Sequence, residues 1–279
     1  MLKVTAIIPA HNEAENIALV VVGLIELRGQ DGAPLIHEVI VADNGSEDAT
    51  AAVAIAAGAT VVAVAGRGYG NACAVACTHA HGEVLLFADG DHTADLTEAP
   101  LLLNAIAAGA DLAIGVRTRV APGSLTQAQR WGNALACLLV RHLWGIPISD
   151  LGPFRAVRRA AYKRMTMRDR AYGWTVEMQI RAAQLKLRTT EVPVSWLPRH
   201  AGQSKISGTL RGVAGAGIGI LSMIARLWWR ERTAALSWRS SALPNTVAIL
   251  PTGQAPLSCP PSRRPHSKHT AGVNHVRTK

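Results

Sequence analysis

Short apolar runs recur through the first two hundred positions, and each stops at a cluster of polar residues or glycine. Runs at residues 4–8, 38–42, 60–65, 84–87, 111–116 and 191–196 are rich in Val, Ile, Leu and Ala without strict alternation, the pattern of strands buried on both faces. Pro9 ends the first of them on this reading, and Val116 ends the fifth just before Arg117-Thr118-Arg119. Between the runs lie segments with helical character: one opened by polar residues at 10–17 and continuing to about Leu27, an alanine-rich one at 49–57, and one at 72–79. Alternation of this kind predicts an α/β fold with a mostly parallel central sheet and helices on both faces.

The pattern changes after the fifth run. Residues 126–144 predict a helix with Trp131, Leu135, Leu138, Leu139 and Leu143 on its apolar side. Residues 150–155 form a tight irregular turn, and residues 173–179 open another helix. Residues 212–225 are glycine-rich and almost wholly apolar, followed by Arg226, Trp228, Trp229, Arg230 and Arg232. That segment is short for a membrane span, so it is either packed on the domain or laid in a bilayer interface with tryptophan and arginine anchors, the second being favoured. Residues 240–279 hold six of the 14 prolines among Ser, Gly and basic residues and are expected to be disordered. The chain thus divides into a domain over 1–211, an apolar or amphipathic helix over 212–239 and a basic tail over 240–279.

Half of the net charge of +10 comes from that tail, where Arg263, Arg264, Lys268, Arg277 and Lys279 face no acidic residue. The domain itself is therefore only mildly basic, and no basic helix or array of stacking aromatics speaks for nucleic acid. Cys73, Cys77, Cys137 and Cys259 include no C-x-x-C pair and fit a reducing compartment, with Cys73 and Cys77 read as packing residues. No secretory leader is read in residues 2–8, and no apolar stretch is long enough to span a membrane.

The most informative chemistry follows the fourth run, where Asp89-Gly90-Asp91-His92 begins as the strand ends. Carboxylates one residue apart repel unless a cation offsets them, which invites Mg²⁺ or Mn²⁺, although an Asp-rich capping turn has the same appearance. His92 is a third ligand or, more simply, a solvent-facing loop histidine. The loop Gly66-Arg67-Gly68-Tyr69-Gly70 contains G-x-G without the dinucleotide spacing, and no G-x-x-x-x-G-K-[ST] is present.

Together, Pro9-Ala10-His11-Asn12-Glu13, the stretch VIVADNGSED at 39–48, Arg67-Gly68-Tyr69-Gly70, Asp89-Gly90-Asp91, DLGPFR at 150–155, YGWTVEMQ at 172–179, and Ser204-Lys205 with Ser207-Gly208-Thr209 resemble the family 2 glycosyltransferases. Within them the likeness is to the polyprenyl-phosphate mannosyl and glucosyl synthases. The resemblance implies a GT-A fold, a nucleotide-diphosphate sugar donor and inversion at the anomeric carbon. Carried over residue by residue, it implies that Pro9, Asn12 and Glu13 line the nucleoside pocket, that Asp43 bonds the base, and that Arg67 and Gly68 lie near ribose and phosphates. Asp91 would ligate the metal, with Asp89 beside it or on the ribose. Arg117 and Arg155 would look toward phosphate groups, and Arg199, Ser204 and Lys205 would close over the diphosphate. Glu177 is a base, or a residue orienting Arg155 or the donor sugar.

The favoured reading is metal-dependent transfer of a hexose from UDP- or GDP-sugar to a polyprenyl phosphate, by a cytoplasmic protein held at an anionic membrane surface. A lipid phosphate is already ionised and needs no general base, whereas a sugar hydroxyl does. Transfer to a soluble or glycan hydroxyl is the alternative enzyme. A non-catalytic nucleotide-sugar or membrane-binding module is the alternative from another class.

Overall fold

The computed structural model describes residues 2–202 and 210–241. Seven strands form one sheet: β1 (Val4–Ala10), β2 (Glu38–Asp43), β3 (Thr60–Ala63), β4 (Val84–Phe87), β5 (Leu112–Val120), β6 (Arg155–Arg158) and β7 (Thr189–Trp196). Their order is β3-β2-β1-β4-β6-β5-β7. Every neighbouring pair is parallel except those made by β6, which runs antiparallel to both β4 and β5. The helices are α1 (Ile17–Ile25), α2 (Thr50–Ala56), α3 (Tyr69–His79), α4 (Ala99–Ala107), α5 (Gln127–Trp144), α6 (Arg159–Met165), α7 (Trp174–Gln184) and α8 (Leu210–Ser241).

Successive side chains on a strand point to opposite faces, so the continuous apolar runs feed two cores at once. On one face Ile8, Val41 and Leu86 pack with Leu24 of α1 and Leu102 and Ile106 of α4. On the other, Ile7, Ile40, Leu85 and Phe87 pack with Cys73 of α3 and with Trp174 and Met178 of α7. A third cluster joins α5, α7 and α8 through Ala136, Cys137, Val140, Ile180, Met223 and Leu227. Cys73 and Cys137 are buried and Cys77 half-buried, all as free thiols, and burial raises each thiol's pKa.

Several expected boundaries move. β1 continues through Pro9, which aligns with Ala42 of β2; β4 has already ended at Phe87, opposite Ile7, so a residue without an N–H is tolerated there. β5 runs beyond Val116 to Val120, with an irregularity between Arg117 and Arg119, so Arg117 lies within the strand. α4, β6 and α6 were not read from the sequence; the run Arg155-Ala156-Val157-Arg158 hides a buried strand behind charged ends.

The largest difference is α5. It starts at a full capping box between Thr126 and Gln129 and ends at Gly145 in the left-handed region. Its buried side, however, is Ala136, Cys137 and Val140, while Trp131 is 74% and Leu138 58% exposed, with Leu135 also exposed. Of the predicted apolar side, Leu139 and Leu143 pack against this core, whereas Trp131, Leu135 and Leu138 face outward. α8 divides likewise, with Met223, Ile224 and Leu227 buried and Ile218, Leu221 and Trp229 exposed. Among the described residues no helix is long and apolar enough to cross a membrane. Ser204, Lys205, the Ser207-Gly208-Thr209 motif and the tail from 242 onward lie outside the described residues.

Candidate active site

Three parallel strands deliver polar loops to one edge of the sheet. Asn12, just past β1, has a positive φ of 51°, donates its N–H to Ser46 Oγ (2.9 Å) and accepts the Glu47 N–H on Oδ1 (2.7 Å). The loops after β1 and β2 are therefore laced together. Asp43 accepts the Ser46 N–H at 3.1 Å, which shapes the same turn. Arg67 is 72% exposed and 3.4 Å from Glu47, an ion pair at the rim. Gly68 is required by close approach: with φ at 139°, a Cβ there would sit 2.0 Å from the carbonyl oxygen of Arg170.

The acidic pair lies after β4, as its position in the sequence implied. Asp89 is half-buried and accepts a hydrogen bond from the Tyr69 hydroxyl at 3.1 Å. Burial first, and the neighbouring Asp91 charge second, push the Asp89 carboxyl up to about 7, against the pull of Tyr69, Arg117 and Arg155. Asp91 Oδ1 accepts from the Thr93 hydroxyl (2.7 Å) and N–H (3.2 Å). Its Oδ2 lies 3.3 Å from Arg199 Nη1, and Arg199 Nη2 donates to Glu13. Glu13 in turn accepts from Asn16 Nδ2 at 2.9 Å. Two carboxylates one residue apart at the cavity suit a divalent cation, and they leave room for a ligand to complete its coordination. His92 does not join them, since no cluster of three or more His, Cys, Asp or Glu side chains suited to a metal occurs among the described residues.

A cavity of about 480 Å³ runs from this pair to the helical wall, touching Asp89, Asp91 and Arg117 at one end and Leu135 of α5 and Ile220 and Leu221 of α8 at the other. Arg117 is fixed by Asp150, which accepts from its backbone N–H (2.8 Å), Nε (2.8 Å) and Nη2 (2.5 Å). Its guanidinium lies over the Trp196 ring, 5.3 Å from the centroid. Asn133 of α5 completes the support, accepting from Arg117 Nη2 (3.4 Å) and the Leu151 N–H (3.0 Å).

Two expected site residues point elsewhere. Arg155 does not look toward a phosphate: its side chain is fully buried and absent from the cavity lining, with its N–H groups donated to the carbonyls of Leu151, Gly152 and Thr175. Burial lowers its pKa to about 10. Glu177 is neither placed as a base nor turned to Arg155. It is buried, accepts the N–H groups of Arg168 (3.0 Å) and Asp169 (2.7 Å), and lies 3.6 Å from Arg181. Thr93, Asn16, Asn133 and Trp196 were not singled out as site residues. Tyr69 sits inside the quoted Arg67–Gly70 motif, and Asn133 is the polar interruption on the apolar helix, which were the available signals.

The family model for Glycosyl transferase family 2 matches residues 5–166. An uncharacterized glycosyltransferase of Mycobacterium tuberculosis (strain ATCC 25618 / H37Rv) is 34% identical over 209 residues, covering 75% of this chain and 92% of its own. The undecaprenyl-phosphate mannosyltransferase of Micrococcus luteus is 30% identical over 251 residues (84% and 99% covered). The polyprenol monophosphomannose synthase of Mycolicibacterium smegmatis is 29% identical over 225 residues (74% and 82% covered). Among solved structures, glucosyl-3-phosphoglycerate synthase from Mycobacterium tuberculosis in complex with Mn²⁺, uridine diphosphate and glucosyl-3-phosphoglycerate superposes with a TM-score of 0.63 at 22% identity, over 80% of each chain. That likeness establishes the α/β architecture of GT-A type.

Proposed function

The chain belongs to glycosyl transferase family 2, and on that premise we propose that it moves a hexose from a UDP- or GDP-linked donor to a polyprenyl phosphate, with inversion, at an anionic membrane surface. One observation carries this reading: a single cavity joins the acidic pair and Arg117 to an apolar wall made by α5 and α8. The undecaprenyl-phosphate mannosyltransferase of Micrococcus and the polyprenol monophosphomannose synthase of Mycolicibacterium support the lipid phosphate, and the Mn²⁺ and uridine diphosphate of the solved neighbour support the donor side.

In this reading Asp91 and Asp89 would hold Mg²⁺ or Mn²⁺, which would supply positive charge to the leaving diphosphate. Pro9, Asn12, Glu13 and Asp43 border the nucleoside, and Arg67 and Gly68 the ribose and phosphates. Arg117 gives Nε and Nη2 to Asp150, keeping Nη1 for a phosphate oxygen. Ser204 and Lys205 cover the diphosphate together with Arg199. The only carboxylates lining the cavity among the described residues are Asp89 and Asp91. An acceptor that brings its own ionised oxygen therefore fits better than one that must lose a proton. The exposed Trp131, Leu138, Ile218 and Trp229 support attachment to the membrane by burying apolar surface in the interface.

Purified full-length protein with radiolabelled UDP- or GDP-hexose, Mn²⁺ and polyprenyl phosphate in micelles should form a lipid-linked product. Asp91→Ala should lower that rate by about 10²–10³-fold with the fold retained. Equal turnover on lipid-free hydroxyl acceptors would replace the lipid-phosphate reading. Nucleotide or vesicle binding without turnover on any donor would point to a binding module instead.

A further inference from the structure

Arg199 occupies a position that neither its charge nor its sequence context explains. It follows β7, yet its guanidinium bridges Glu13, at the end of β1, and Asp91, after β4. The three side chains are 15%, 9% and 23% exposed respectively, so these contacts are shielded from water far more than a surface ion pair. Asp91 Oδ1 is already held by Thr93, and Oδ2 is the oxygen facing Arg199. A cation approaching Asp91 therefore meets a positive charge in residence.

The main chain beneath Arg199 is pinned. Asn16, buried at the start of α1, accepts the Ala201 N–H on Oδ1 (3.1 Å) and donates Nδ2 to the Ala201 carbonyl (3.1 Å). The same carbonyl accepts from Arg199 Nε at 2.9 Å. Departure of the guanidinium from Asp91 thus needs rotation of one side chain about an anchored backbone, with its bonds to Glu13 and the Ala201 carbonyl exchanged at the same time.

We infer that Arg199 makes the metal site selective for an ion that arrives with a diphosphate, by neutralising Asp91 until an anionic ligand draws the guanidinium away. A free divalent ion must expel Arg199 and then endure its charge nearby. A metal–diphosphate brings oxygens that accept both the ion and the displaced guanidinium, so Asp91 and Arg199 each exchange one opposite charge for another. The inference rests on the metal reading given above and extends it to the order in which metal and nucleotide bind.

Mn²⁺ titrations of the full chain followed by electron paramagnetic resonance, with and without UDP or GDP, test it. Without nucleotide, Arg199→Gln should bind Mn²⁺ about tenfold more tightly than the wild type, as expected for loss of an adjacent cation in a shielded site. Arg199→Lys should stay near the wild type. Glu13→Gln, which leaves Arg199 on Asp91, should show no gain. Added UDP or GDP should tighten Mn²⁺ binding strongly in the wild type and much less in Arg199→Gln. Equal nucleotide-free affinity in wild type and Arg199→Gln would overturn the inference while the metal reading stood. Failure of every protein to bind Mn²⁺ in either condition would overturn both.

Discussion

The strand-edge floor of the cavity and its helical wall border the same space, yet they are held in shape by different forces. At the floor, hydrogen bonds tie loop to loop: Asn12 to Ser46 and Glu47, and Arg199 to both Asp91 and Glu13. At the wall, α5 and α8 meet through Cys137, Val140, Met223 and Leu227, while larger apolar side chains face outward. Polar satisfaction fixes the positions of the polar groups, and packing on one side of α5 and α8 leaves an apolar outer surface for something else to cover. The contrast indicates that the fold itself sets the polar floor, whereas the outer face of the wall depends on its surroundings.

The strongest way to break this contrast is beneath the floor. Arg155→Ala should destabilise the protein by about 3–5 kcal/mol, because buried carbonyls of Leu151, Gly152 and Thr175 lose their donor. Urea unfolding measures it, and a change below about 1 kcal/mol would return Arg155 to the candidate ligand-binding residues. On the wall the same kind of measurement should show little. Trp131→Ser with Leu138→Ser should leave stability within about 1 kcal/mol but lower co-sedimentation with phosphatidylglycerol vesicles by about tenfold or more. Unchanged vesicle binding would make the outer face of α5 a water-facing surface. The smallest effect concerns Asp89. When folded it keeps its proton to about pH 7, whereas an unfolded aspartate releases it near pH 4, so the folded chain binds the extra proton across that window and loses this stabilisation as pH rises through it. The melting temperature of Asp89→Asn relative to wild type should therefore rise between pH 5 and pH 8, by roughly 2–4 °C. Parallel melting curves across that range would show that Asp89 is ionised throughout.

The same division explains what could be read from residues alone. The floor was legible because each β-strand and its loop are adjacent in sequence: the acidic pair after Phe87 and the polar stretch after Ala10 lie where strand ends put them. Arg155 and Glu177 were not, since a charge in a motif looks alike whether it meets a phosphate or a ring of backbone carbonyls and amides. Nor was the orientation of α5, whose Leu-rich stripe was more apolar than the Ala136–Cys137–Val140 side that packs inward. The helix is turned so that Ala136, Cys137 and Val140, flanked by Leu139 and Leu143, meet α7 and α8 in a shared core. The bridge from Glu13 to Arg199 has no local signature at all.

That bridge has a consequence in time. Glu13 and Arg199 are separated by 186 positions and Asn16 and Ala201 by 185. At about 5–20 residues per second, a ribosome makes Glu13 roughly 10–40 s before the residue that pairs with it. The strands that precede Glu13 and Asp91 are complete in sequence by then, so these early-made carboxylates wait for the arginine until β7 has been made. On the metal reading proposed above, a chain interrupted before β7 would present those carboxylates without the arginine and leave the site open to whatever cation is at hand.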